Sequence, residues 1–164
     1  MTKHETYAVE IAGLKRELPL FEIKPGLKIA ILNILGDTEL AQASAKELAM
    51  KLADKSFDVL VTAEAKSIPL AYALSVETKK PYVVLRKAYK LYMGDALKAG
   101  TLSITTSQPQ TLILDEKDRE TIKGKKVVIV DDVISTGSTL QGMRMILDKA
   151  ESTVVAEAAI LTEG

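Results

Sequence analysis

Four consecutive β-branched residues, Val127-Val128-Ile129-Val130, constrain this chain more than any other stretch. They read as a strand buried on both faces, and such strands belong to parallel sheets in α/β proteins. The run leads into Asp131-Asp132 and, two residues later, into Ser135, Thr136, Gly137, Ser138 and Thr139, small residues that let backbone N–H groups converge on one point. A helix is expected next, with Leu140, Met143, Leu147 and Ala150 at helical spacing. An anion between that loop and the helix start would meet N–H donors, hydroxyls and the positive end of the helix dipole. The segment therefore offers a phosphate cradle beside two carboxylates suited to sugar hydroxyls. It is not a Walker loop, because no Gly-Lys-Ser/Thr follows a glycine at the required spacing.

Around this centre, the chain reads as one domain, 1–164, long enough to bury a sizeable core. Lys plus Arg and Asp plus Glu number 22 each, so net charge gives no pull towards nucleic acid or an anionic membrane. Cysteine is absent, which excludes disulfides and zinc–thiolate sites. No apolar run reaches membrane-spanning length and Met1-Thr2-Lys3-His4-Glu5 is no signal peptide, so a cytoplasmic protein with neither nucleic-acid nor membrane partners is expected.

Taken in order, Tyr7, Ile11, Leu14 and Leu18 fall at helical spacing and predict a helix over about 3–18, stopped by Pro19. Leu20 to Ile23 reads as a strand, Lys24-Pro25-Gly26 as a turn, and Asp37 as the N-cap of a helix carrying Leu40, Ser44, Leu48 and Leu52. Asp58 to Ala63 and Tyr82 to Leu85 read as further sheet strands. Between them a helix has Pro69 in its first turn, a βαβ pattern. Residues 88–100 lose the pattern, and two strands, Thr101 to Thr106 and Thr111 to Leu114, around Ser107-Gln108-Pro109-Gln110 predict a hairpin that could serve as a flexible flap. Thr153 to Leu161 predicts a last strand.

Ligands of open α/β sheets sit beyond the carboxyl ends of the strands, where residues 64–67, 86–90 and 131–139 would share one rim. These loops supply Lys66, Ser67, Arg86, Lys87 and Lys90. Two phosphate-binding regions flanking a carboxylate pair suggest a sugar with phosphate at both ends.

The stretch 127–139 resembles the phosphoribosyl pyrophosphate (PRPP) motif of type I phosphoribosyltransferases along its whole length. Glu64-Ala65-Lys66-Ser67, Leu85-Arg86-Lys87 with Lys90-Leu91, and Lys24-Pro25-Gly26-Leu27 with Asn33-Ile34-Leu35 are similar to segments of the adenine phosphoribosyltransferases. The resemblance spans roughly residues 20–164. It implies the type I fold: a central, mainly parallel sheet flanked by helices, an N-terminal hood within about 1–36 and a flap within about 88–114. It also implies transfer of ribose 5-phosphate from PRPP to a purine, adenine first, with release of pyrophosphate, in purine salvage. In that reading Asp131 and Asp132 meet the ribose hydroxyls and the developing positive charge. Ser135, Thr136, Gly137, Ser138 and Thr139 hold the 5-phosphate, and Lys66, Ser67, Arg86, Lys87 and Lys90 hold pyrophosphate. Magnesium is held through PRPP, with Asp131 and Asp132 as candidate ligands, and Ile29 contacts the base. Relatives are usually homodimers, which is the expectation here.

This sequence departs from the adenine branch at three points. The flap region Ile104-Thr105-Thr106-Ser107-Gln108 has neither the acid nor the aromatic residue of the usual Leu-Glu-Tyr-Gly-like segment. Position 67 is Ser where Gly is usual, and the chain ends at Gly164 where relatives commonly continue into a final strand. Ile68-Pro69-Leu70-Ala71-Tyr72 and the flap without Glu are also similar to xanthine phosphoribosyltransferases and to the effector domain of Gram-positive purine operon repressors. A PRPP-binding regulator without turnover, or a transferase for xanthine or another base, are therefore the alternatives. The regulator would need a partner, as the sequence carries no DNA-binding domain and no basic excess.

Overall fold

The computed structural model describes residues 5–102, 109–134 and 138–162. Its centre is a parallel sheet of four strands in the order β5-β4-β8-β9, comprising β4 (Val59–Ala63), β5 (Tyr82–Leu85), β8 (Lys126–Ile134) and β9 (Thr153–Thr162). Val127 to Val130 are fully buried, as the apolar run requires. Alternation sends Val128 and Val130 to one face and Val127 and Ile129 to the other, so β8 contributes to two cores. The first core packs Leu60, Val128 and Val130 against α1 (Thr38–Lys51) and α2 (Ile68–Thr78), through Leu40, Leu48, Leu70 and Leu74. The second packs Val61 and Ile129 against α3 (Glu116–Ile122) and α4 (Ser138–Lys149), through Ile122, Met143 and Leu147. Each such aliphatic side chain stabilises the fold by roughly 1.5–3 kcal/mol. Covering both faces is what a continuous β-branched strand demands.

Asp37 caps α1, accepting the Leu40 N–H at 3.1 Å, as expected. Helix α3 is new relative to the sequence reading. It begins at the Asp115 cap, which accepts from Lys117 N–H, and ends on the buried Ile122.

The N-terminal segment corrects the sequence reading. Residues 6–24 form no helix but an antiparallel hairpin, β1 (Thr6–Ile11) and β2 (Leu14–Lys24), joined by Ala12 and Gly13 at φ 52° and 82°. Two left-handed residues in a two-residue loop make the tight turn whose twist matches the strands. Positions 7 and 11, like 14 and 18, are spaced by multiples of two within each strand. The helical spacing arose because the turn joins two alternating patterns. Pro19 does not end the segment: it lies in β2 where pairing passes from β1 (Thr6↔Pro19) to β3 (Leu27–Ala30; Leu20↔Ala30). Strands β1-β2-β3 lay Ile11 and Leu18 on the first core.

A second hairpin is present with shifted bounds: β6 (Leu97–Leu102) starts before the expected Thr101, and β7 (Pro109–Leu114) takes in Pro109 and Gln110, expected in the turn, pairing antiparallel from Leu97↔Leu114 to Leu102↔Pro109. Ala99, Leu112 and Leu114 pack into the second core, and Arg86 and Ile113 exchange backbone hydrogen bonds of 2.8 Å that dock the hairpin on β5. Its tip, 103–108, which contains the acid-free flap segment, lies outside the described residues.

Candidate functional site

From β4 the chain leaves through α2 to β5 on one side, while β8 lies on the other side of β4. The strand order reverses there, and a cavity of about 420 Å³ opens beyond the carboxyl ends of β4 and β8. Residues 63–67, Lys87, residues 131–134, Thr139 and Leu140 line it. Pairing of β8 with β4 stops at Ile129, whereas pairing with β9 continues through Asp131↔Ala159 to Ile134↔Thr162. The acid pair is therefore carried on a strand held from one side only, its other side open to loop 64–67.

That loop closes the gap with a side chain. The Ser67 hydroxyl donates to Asp131 Oδ1 at 2.8 Å, lies 3.2 Å from Asp132 Oδ1, and accepts the Asp132 N–H at 3.0 Å. Asp132 N–H also reaches Asp131 Oδ1 at 2.8 Å, and Val133 N–H donates to Asp132 Oδ1 at 2.9 Å. All these donors converge on Oδ1, and among the described residues none reaches Oδ2 of either acid. Burial pushes the Asp131 carboxyl up to about 6. The adjacent Asp132 carboxylate adds to that rise, and the Ser67 hydroxyl opposes it.

At the end of β4, Glu64 accepts the Lys87 N–H at 2.6 Å and the Arg86 Nε–H at 3.1 Å. Burial works to raise the Glu64 carboxyl, but the Lys87 N–H and the Arg86 guanidinium outweigh it and hold Glu64 below the usual carboxylate range. Glu64 thus fixes where the two cations at the end of β5 stand. The sequence reading gave it no role, although an acid amid strand-end cations was the available signal.

Of the residues singled out from sequence, Lys66, Ser67, Lys87, Asp131, Asp132 and Thr139 meet around this cavity. Ser138 opens α4. Ser135, Thr136 and Gly137 lie outside the described residues. The structure does not bring Arg86, Lys90 or Ile29 to the same place. Arg86 turns to Glu64 and to the Tyr92 hydroxyl, 3.4 Å from its Nη1, and lines a separate pocket with Tyr92 and Asp115. Lys90 is exposed just before the short 3-10 turn Leu91–Met93. Ile29 sits in β3 opposite Phe21, and no residue of β1–β3 lines the cavity.

A carboxylate pair on the strand before a helix start is thus faced, at a switch point, by a loop carrying Lys66 and by Lys87. Residues 32–164 match the family of the phosphoribosyl transferase domain, and the chain belongs to that family. It is 32% identical over 141 residues to the purine biosynthesis transcriptional repressor PurR of Bacillus subtilis, covering 86% of this chain and 48% of the repressor. It is 36% identical over 111 residues to the hypoxanthine/guanine phosphoribosyltransferase of Methanococcus voltae, covering 68% of this chain and 56% of that enzyme. The chain thus spans about half the length of these two relatives. The adenine phosphoribosyltransferase of Thermosipho africanus is 31% identical over 146 residues, 89% of this chain and 83% of that one. Among solved structures, the adenine phosphoribosyltransferase of Thermoanaerobacter pseudethanolicus aligns with a TM-score of 0.72 at 18% identity, over 89% of this chain and 95% of that one. The expected type I phosphoribosyltransferase fold is the fold the chain has.

Proposed function

We propose that this chain is a purine phosphoribosyltransferase that binds PRPP in the cavity between β4 and β8. It transfers ribose 5-phosphate to a purine, adenine first, and releases pyrophosphate. The observation that carries the reading is the Asp131–Asp132 pair, held through Oδ1 by Ser67 at the switch point, on the wall of the cavity. In the reaction the bond from the ribose anomeric carbon to pyrophosphate breaks, a bond to a purine ring nitrogen forms, and that nitrogen loses its proton. Positive charge growing on the sugar falls beside the two carboxylates, and negative charge on the leaving group falls beside Lys66 and Lys87, so catalysis is positioning plus electrostatic stabilisation. The start of α4, with Thr139, receives the 5-phosphate.

Magnesium fits this donor set. Among the described residues no cluster of three or more metal-binding side chains exists, but Asp131 and Asp132 both line the cavity, and magnesium leans on ligand phosphates and water. When bound it would be held through PRPP, with Asp131 and Asp132 as its protein-side ligands, and would supply positive charge against the leaving group. No helix among the described residues is long and apolar enough to cross a membrane. We read the protein as cytoplasmic and homodimeric, and sedimentation would test the dimer.

A second reading, a PRPP-responsive regulator without turnover, is favoured by the PurR relative and by the acid-free flap segment. The deciding measurement is PRPP- and magnesium-dependent pyrophosphate release with adenine, hypoxanthine, guanine and xanthine offered separately. Turnover with adenine is the expected result, and turnover with another base alone replaces the substrate. No turnover, with PRPP still raising the melting temperature, gives the regulator precedence. Absence of any PRPP effect overturns both readings.

A further inference from the structure

We infer that Ser67 is a positioning residue that couples the pyrophosphate and ribose subsites to each other; this rests on the PRPP-binding reading above. Ser67 is the N-cap residue of α2, yet its side chain makes no capping bond to the helix. A serine there normally turns its oxygen to the helix N–H groups. This one is 3% exposed and turned the other way, giving its proton to the acid pair and receiving the Asp132 N–H. One hydroxyl thereby sets the Oδ1 side of both carboxylates.

The same residue is the last of loop 64–67, and the first of that loop is tied to the end of β5. Glu64 N–H donates to the Leu85 carbonyl at 3.0 Å, and the Glu64 carboxylate holds Lys87 N–H and Arg86. The loop therefore runs from the cations of β5 to the carboxylates of β8 with a bonded anchor at each end. A diphosphate seated on it restrains Ser67 further, and the Ser67 hydroxyl passes that restraint to the pair it already orients. A sugar that arrives second meets carboxylates already ordered, and by linkage the sugar favours the diphosphate equally.

Calorimetric titration of ribose 5-phosphate into the full chain, with and without saturating magnesium pyrophosphate, measures this coupling as a ratio of two Kd values. In the wild type, pyrophosphate is expected to tighten ribose 5-phosphate by about fivefold or more. In Ser67→Ala the ratio is expected to fall to near one, and Ser67→Gly provides a second hydroxyl-free variant should the first not fold. A purely structural role for Ser67 would change affinities or melting temperature without changing the ratio. A wild-type ratio near one, or an unchanged ratio in the folded variant, overturns the inference. If neither ligand binds the wild type, the PRPP reading itself fails and takes the coupling with it.

Discussion

Asp131 and Asp132 differ although they are neighbours on one strand. Asp131 is the carboxyl that burial raises to about 6 from its ordinary 3.8, with the Asp132 charge adding to the effect. An acid raised in the folded state holds its proton more tightly there, so its contribution favours the fold at low pH. That contribution declines as pH climbs through 3.8 to about 6 and is gone above, a difference of roughly 3 kcal/mol. In metal-free buffer Asp131→Asn, which keeps one acceptor for Ser67 and Asp132 N–H, should be more stable than wild type at pH 7.5. The advantage should shrink towards pH 4, as read from urea midpoints at the two pH values; equal midpoints at both would contradict it. Glu64, also on the cavity wall, moves the opposite way, held below the usual carboxylate range by the Lys87 N–H and the Arg86 guanidinium. For Asp132 the expected effect is on function. Asp132→Asn should lose about tenfold to hundredfold in PRPP-dependent turnover, the size of a lost charge-assisted hydrogen bond, with its circular dichroism unchanged. Unaltered turnover would remove Asp132 from the site.

At the scale of elements, Asp37 joins the hairpin to the first helix. It caps α1 and receives Arg16 Nε–H at 2.8 Å from β2. The Arg16 guanidinium holds the Asp37 carboxyl below the usual range, although burial opposes it. Its stabilisation is therefore present above that range and lost as pH falls through the lowered value. Asp37→Ala should cost about 1–2 kcal/mol at neutral pH and less in acid, and Asp37→Asn, which still caps, should cost less. Thermal melts of both variants across pH decide this, and equal losses for Ala and Asn would mean the cap contributes nothing. The elements also differ in how plainly the sequence declared them. Strands β4 and β8 were legible because a strand buried on both faces leaves a mostly apolar run, and the edge strand β5 because Tyr82-Val83-Val84-Leu85 is short, apolar and β-branched after Pro81. The N-terminal hairpin was not, since a two-residue turn between alternating strands mimics helical spacing. Among site residues, Lys66, Ser67, Lys87, Asp131, Asp132 and Thr139 could be read because strand ends and helix starts locate them. The direction of Arg86 could not, because it depends on Glu64 and Tyr92 arriving from other parts of the chain.

For the whole molecule, PRPP at a hundredfold above its Kd should add about 2.7 kcal/mol to the unfolding free energy. A melting temperature that rises with the logarithm of PRPP concentration would show it, and a flat response would exclude the cavity as a PRPP site. The order of the sheet also governs how the chain comes to have a cavity at all. Strand β4 can pair with β5 after one short crossover, but its other neighbour is remote: Lys126 N–H reaches the Asp58 carboxylate across 68 positions of sequence. Ser67 and Asp131 are 64 positions apart. Distant pairings of this kind form late, because a long loop must close before any contact rewards it. During synthesis, β4, α2 and β5 leave the ribosome with the β8 side of β4 still bare, and the segment carrying the carboxylates arrives afterwards. The binding cavity therefore exists only once β8 has docked on β4.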